Sequence, residues 1–108
     1  MAPAVSIVMR SYNHADFIGL AIESVLAQSY RDWELIIVDD VSTDQSWSVI
    51  QGFRDERIRA LRVPGDYGIG GSRAYNKALD LTSGHVIMNL DCDDEYRPDK
   101  VKKQLDSL

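Results

Sequence analysis

Four acidic residues fall within five positions near the end of the chain, Asp91, Asp93, Asp94 and Glu95, directly after the apolar residues Val86, Ile87, Met88 and Leu90. In an extended segment, side chains at i and i+2 point the same way, which sets Asp91 and Asp93 side by side. At about 5 Å and an effective dielectric of about 20, two such carboxylates repel by roughly 3 kcal/mol. A hard divalent cation relieves that repulsion, and Mg2+ or Mn2+ favours oxygen ligands, often sharing its shell with substrate phosphates. The alternative for an Asp-rich turn is a polar loop that caps the following helix. A second acidic pair, Asp39 and Asp40, closes the apolar run WELIIV at Trp33 to Val38.

Stepping along the chain, strand and helix patterns alternate. Val5 to Met9 is a short β-branched run ending in the polar turn from Arg10 to His14, and reads as a buried first strand. From Asp16 the period changes, and Phe17, Leu20, Ala21 and Val25 mark the inner face of a helix whose first turn carries a negative charge that suits its dipole. Trp33 to Val38 is the second strand. A second helix is expected from about Asp44 as N-cap, with Trp47, Ile50 and Phe53 inward. Ile58 to Val63 alternates apolar residues with arginines, the pattern of an edge strand. The glycine-rich Pro64 to Gly71 opens a helix from about Ser72 to Leu81 with Ala74, Ala78 and Leu79 as apolar contacts, and Gly84 ends it. The run from Val86 reads as a fourth strand buried on both faces, and Pro98 suits the first turn of a last helix. Strands separated by helices predict right-handed crossovers and an α/β fold of three layers with a mainly parallel sheet. Strand order 3-2-1-4 places a switch point between strands one and four, where Ser11, Asp39 and Asp91 would share one crevice.

With 108 residues the chain is read as one domain, 1–108, and its 44% hydrophobic and 27% charged residues describe an ordinary globular protein. A net charge of −5 without a Lys/Arg cluster argues against a nucleic-acid partner. The single cysteine, Cys92, has neither a disulfide partner in the chain nor companions at zinc-ligand spacing, and fits a reducing, cytoplasmic setting. The apolar runs are strand-sized, so no membrane segment is expected. A dinucleotide-binding Rossmann domain needs G-x-G-x-x-G in the first βα turn, and here that turn is RSYNHAD. Gly68-Ile69-Gly70-Gly71 follows the third strand instead and carries Arg73 where the third motif glycine would fall. A phospho-acceptor receiver domain would carry acid after the first and third strands, whereas this chain carries it after the second and fourth.

Three segments together resemble the inverting family 2 glycosyltransferases: VSIVMRSYN at Val5 to Asn13, ELIIVDDVSTD at Glu34 to Asp44 and NLDCDDEYRP at Asn89 to Pro98. They stand in family order and span nearly the whole chain. The resemblance implies a GT-A fold, which is a Rossmann-like nucleotide-binding half, a nucleotide-diphosphate sugar donor and a divalent metal, Mg2+ or Mn2+, held by the DxD motif. A UDP-sugar is favoured, with GDP- or dTDP-sugars as alternatives. Carried over by position, Ser11, Tyr12 and Asn13 lie against the donor base and ribose, Asp39 accepts a hydrogen bond from the base edge, Asp91 faces ribose or metal, and Asp93 holds the metal. Asp40 braces the loop, and for Asp44 helix capping is the simpler role.

The chain departs from the family pattern in its third helix, where family members commonly read Ala-Arg-Asn and this chain reads Ala74-Tyr75-Asn76. Tyr75 cannot supply the arginine's charge. Arg73 either contacts the donor or is a solvated surface charge, since it lies about 200° around the helix from position 75. Inversion also needs a general base, which the family supplies from a later, acceptor-binding segment, expected beyond Leu108. His14 and His85 read as structural or surface residues. The chain is therefore expected to be the donor-binding half of a glycosyltransferase, inactive alone and able to self-associate through exposed edges; the alternative is a non-catalytic nucleotide-binding or assembly module of the same fold.

Overall fold

A computed structural model describes residues 3–40, 43–62, 72–91 and 95–108, the side chains of 72–75 excepted. Its elements alternate as β1 (Val5–Ser11), α1 (Ala15–Leu26), β2 (Trp33–Asp39), α2 (Ser46–Gln51), β3 (Ile58–Arg62), α3 (Ser72–Asp80), β4 (Val86–Asn89) and α4 (Lys100–Asp106). All strand pairs are parallel, in the order β3-β2-β1-β4 anticipated from the alternation. Strands are added outward from β1 to one side as β2 and β3 and to the other as β4, and the crevice at the carboxyl ends of β1 and β4 is where such sheets place ligands.

The two sheet faces bury different residues, because successive strand side chains alternate. Val5, Ile7 and Met9, with Trp33, Leu35, Ile37 and Met88, pack against Ile18, Ala21, Ile22 and Val25 of α1, Ile50 of α2 and Val101 of α4. On the opposite face Val8, Ile36 and Val38 pack under Ala78, flanked by Leu79 and Leu81. β1 and β2 are thus covered on both sides. Position 74, expected on the inner face of α3, lies outside the described side chains.

Four expectations are corrected. The buried stripe of α1 is Ile18, Ala21, Ile22 and Val25, the i, i+3, i+4, i+7 set, whereas Phe17 and Leu20 are each 51% exposed. Both stripes are apolar, and the branched one is the one that meets the sheet. β4 is not buried on both faces: Met88 is covered, while Ile87 is 46% exposed and Asn89 is exposed. The cause is α3, which lies over β1 and β2 and leaves this side of β4 open. α2 begins at Ser46, and α4 at Lys100, two residues beyond Pro98. Trp47 and Phe53 are partly buried against the core as expected, and β3 is half-exposed at its edge; Val63 lies outside the described residues.

At the amino ends of the strands a polar cluster locks the sheet. Glu34 is buried, and its Oε2 accepts hydrogen bonds from Ser6 Oγ (2.5 Å), Ser83 Oγ (2.9 Å) and the Ser83 N–H (2.7 Å). Burial pushes the Glu34 carboxyl up, but these donors outweigh it and hold the group below its ordinary value. Ser6 Oγ in turn accepts the Gly84 N–H at 2.8 Å. Gly84 does not end α3, which stops at Asp80; its role is close approach to β1, since a Cβ there would lie 2.7 Å from the Ser6 nitrogen and 2.8 Å from the Val5 carbonyl carbon.

Candidate functional site

The opposite, carboxyl ends of the strands carry the residues singled out by chemistry. Ser11 of β1, Asp39 of β2 and Arg62 of β3 are partners in the sheet register, so they form one transverse row. The Asp40 N–H donates to the Ser11 carbonyl at 2.8 Å and closes the row where β2 ends. Ser11 and Asp39 are fully buried. Arg62 Nε stands 3.5 Å from Asp39 Oδ2, and the guanidinium lies 5.9 Å from the Trp47 ring centroid. The Ser11 hydroxyl has no hydrogen-bond partner among the described residues, an orphan polar atom of the kind a ligand or water satisfies. Asp40 is also buried.

The loop after β1 is braced by its own asparagine. Asn13 has φ 52°, the left-handed region that asparagine tolerates better than most residues. In that conformation its Oδ1 accepts the N–H groups of Thr43 (2.8 Å) and Asp44 (3.4 Å). Asp44 then accepts the Ser46 N–H through Oδ1 (2.9 Å) and the Ala15 N–H through Oδ2 (3.1 Å). One carboxylate therefore serves the amino ends of both α1 and α2, where helices leave N–H groups unpaired. Desolvation raises the Asp44 carboxyl, and the bonds from Ser46 and Ala15 outweigh it, so the group lies below its ordinary value. Capping was the expected role of Asp44; its reach to Ala15 was not foreseen. Ser46 Oγ completes the tie by accepting the His14 N–H at 2.9 Å.

Tyr12, between these anchors, is 41% exposed. Asp91 follows Leu90, whose N–H donates to the Val8 carbonyl at 3.0 Å, so the acidic run starts on the β1 side of the crevice. Its carboxylate is exposed. The structure thus brings Ser11 and Asp39 together, leaves Tyr12 and Asp91 open to solvent and uses the Asn13 side chain as a brace. Arg73 and Asp93 fall outside the described side chains. Among the described residues no three carboxylate, imidazole or thiol side chains converge into a metal cage. An exposed carboxylate at the strand end nevertheless has the chemistry of an open site for a hard cation, which takes its remaining oxygens from water and phosphate. Arg62 was legible only as one of three arginines on an edge strand; the parallel register is what sets it beside Asp39.

A parallel sheet of order β3-β2-β1-β4 with helices on both faces defines an α/β fold, a class that places ligands at the carboxyl ends of its strands. The family model for glycosyl transferase family 2 matches residues 6–108, and the chain belongs to that family. It is 42% identical over 108 residues to the putative teichuronic acid biosynthesis glycosyltransferase TuaG of Bacillus subtilis, covering 98% of this chain and 42% of that protein. Over 101 residues it is 39% identical to the UDP-Glc:alpha-D-GlcNAc-diphosphoundecaprenol beta-1,3-glucosyltransferase WfaP of Escherichia coli, covering 94% of this chain and 39% of that one. The chain spans about two fifths of the length of these curated relatives. In fold it is similar to S. aureus TarS 1-349 in complex with UDP-GlcNAc, at TM-score 0.87 and 24% identity over 98% of this chain and 30% of that one. The mannosyltransferase PcManGT of Pyrobaculum calidifontis in complex with GDP-Man and Mn2+ superposes at TM-score 0.77 and 24% identity, over 89% of this chain and 29% of that one. The GT-A-like α/β fold implied by the three sequence segments is thereby found.

Proposed function

We propose that this chain is the donor-binding part of a glycosyltransferase that moves a sugar from a nucleotide diphosphate, a UDP-sugar in first place, to an acceptor hydroxyl with inversion. The observation that carries the reading is the pairing of buried Ser11, at the carboxyl end of β1, with buried Asp39 of β2, while Asp91 follows β4 on the other side of β1. Uracil offers N3–H to a carboxylate, and we assign Asp39 as its acceptor. Asp39 is fully buried, so a base reading its carboxylate requires the side chains that cover it to move. The Ser11 hydroxyl gains the partner it lacks, the exposed Tyr12 ring offers a stacking face, and Asn13 holds the loop that presents both. WfaP, a relative that uses UDP-Glc, supports the uridine donor, and PcManGT, bound to GDP-Man and Mn2+, supports a divalent ion.

Asp91 and Asp93 would hold Mg2+ or Mn2+ against the diphosphate, with Arg73 as a further donor contact. When bound, the cation neutralises charge on the departing diphosphate. Transfer forms the bond from the acceptor oxygen to the anomeric carbon and breaks the bond from that carbon to the diphosphate oxygen, which leaves with the electron pair. The acceptor proton passes to a general base, a role assigned to no residue of this chain. Calorimetric titration of UDP tests the assignment. Asp39→Ala is expected to weaken UDP by about 1.5 to 3 kcal/mol, the range for hydrogen bonds to charged groups, with the Mn2+ affinity of the free protein unchanged. Equal affinity of wild type and variant for UDP would remove Asp39 from the site.

A further inference from the structure

The segment after the acidic run is fastened to the far end of α1 through side chains with no part in the donor site. Gln28, just past α1 and 2% exposed, donates through Nε2 to the carbonyls of Ser24 (3.0 Å) and Arg97 (2.6 Å). Its Oε1 accepts the Val101 N–H at 3.0 Å. The neighbouring Ser29 N–H donates to the Pro98 carbonyl at 2.7 Å. One turn earlier, Ser24 Oγ accepts the Tyr96 N–H at 3.0 Å while donating to the Ala21 carbonyl at 2.7 Å. Tyr96 also donates its hydroxyl to the Asn89 carbonyl, tying the residue after the acidic run to the last residue of β4.

A buried amide side chain has four hydrogen-bonding positions, and Gln28 fills three of them with backbone groups, two belonging to residues 97 and 101. Leaving such groups unpaired in the interior costs more than a surface bond gains, so the strap cannot slide along α1. The residues flanking the acidic run are thus fastened on both sides, Leu90 on Val8 before it and Tyr96 on Ser24 and Asn89 after it.

We infer that Gln28 and Ser24 are positioning residues that set the spacing and direction of the acidic run, and so the affinity of the metal and diphosphate it receives. The inference rests on the reading of Asp91 and Asp93 as the metal site. Partners beyond the ligands themselves commonly change metal affinity by about 10- to 100-fold when removed, and here that effect would act through the backbone from the C-terminal end of α1.

The test titrates UDP into this chain with and without Mn2+, well below the melting temperature of every variant. In wild type Mn2+ is expected to raise UDP affinity. In Gln28→Met that enhancement is expected to shrink about tenfold or more, with metal-free UDP affinity changed less than about twofold. Ser24→Ala, the milder change because Ser24 is only partly buried, is expected to lower the enhancement in the same direction. Ile22→Val in the same helix is the control for stability alone, since it thins the core without touching the strap. An unchanged enhancement in Gln28→Met and Ser24→Ala overturns the positioning role while leaving the metal site standing. An equal loss in Ile22→Val also overturns it, by showing that stability accounts for the effect. A wild type with no Mn2+ enhancement overturns the metal site and the positioning role together.

Discussion

Replacing Gly84 by alanine should be among the most damaging single changes in this chain, and the reason is contact with a central strand. The new Cβ would sit 2.7 Å from the Ser6 nitrogen, 2.8 Å from Ser6 Oγ and 2.8 Å from the Val5 carbonyl carbon. Two of these atoms are backbone of β1, which is hydrogen-bonded to β2 on one side and β4 on the other. Relief therefore means moving a strand pinned on both edges, and such overpacking costs about 1 to 3 kcal/mol. The shift also pulls on the bond from the Gly84 N–H to Ser6 Oγ, and through Ser6 on the Glu34 carboxylate. A disturbed hydrogen bond adds about 0.5 to 1.5 kcal/mol, for a sum of roughly 2 to 4 kcal/mol. That is a large share of the 5 to 15 kcal/mol typical of a domain. Urea unfolding followed by tryptophan fluorescence reads it directly, since Trp33 is buried in the core. Gly19→Ala is the matched control: its Cβ would meet only Val49 Cγ1 at 3.5 Å, an ordinary contact, and glycine in a helix interior costs about 0.5 to 1 kcal/mol relative to alanine. Gly84→Ala within about 0.5 kcal/mol of wild type would refute the argument that β1 blocks this position.

Two further outcomes follow from the packing and the charges. Ile22→Ala in α1 should cost about 2 to 5 kcal/mol and Phe17→Ser close to nothing, because Ile22 is fully buried and Phe17 is 51% exposed; chemical denaturation of both variants would reverse that order if the helix packed on its other stripe. Acid should weaken the fold through two carboxylates: Asp55, held at about 2 by the Arg57 guanidinium and backbone, and Glu34, held below its ordinary value against burial by Ser6 and Ser83. A depressed carboxyl contributes stability that is present above its unfolded value and lost as pH falls through its folded value. The loss should accordingly set in below pH 4.5 for Glu34 and run from 3.8 toward about 2 for Asp55, and Asp55→Asn should flatten the lower part of a melting-temperature profile against pH.

Much of this fold was legible because β-branched runs alternate with helical periods, and short connections leave few ways to order parallel strands. The 3-2-1-4 order and the meeting of Ser11 with Asp39 follow from that pattern. The phase of α1 was not legible, because Phe17 and Leu20 make an apolar stripe as convincing as Ile18 and Ile22, and only the sheet decides between them. Nor does the run of Val86, Ile87 and Met88 disclose that α3 leaves one side of β4 uncovered. The brace from Asn13 to Thr43 spans 30 residues and depends on a left-handed backbone, so no local pattern announces it. Arg62 beside Asp39 is a product of register between two strands, and Gln28 reaches 69 residues to Arg97. Polar contacts of this kind belong to the assembled structure, whereas periodicity belongs to the chain.

The central claim is that one crevice takes a nucleoside diphosphate and a divalent cation together, and thermal melting with the two added singly and jointly tests it most directly. Two carboxylates leave most of an octahedral shell to other oxygens, so Mn2+ and UDP should each raise the other's affinity by the same factor. At about 100 times the joint dissociation constant the folded state gains about 2.7 kcal/mol, or roughly 10 to 20 °C in Tm for a domain of this size. Asp93→Asn should abolish the joint shift and leave the ligand-free protein as stable as wild type or slightly more so. A wild type that melts at one temperature with and without Mn2+ plus UDP or GDP would contradict the donor-site assignment.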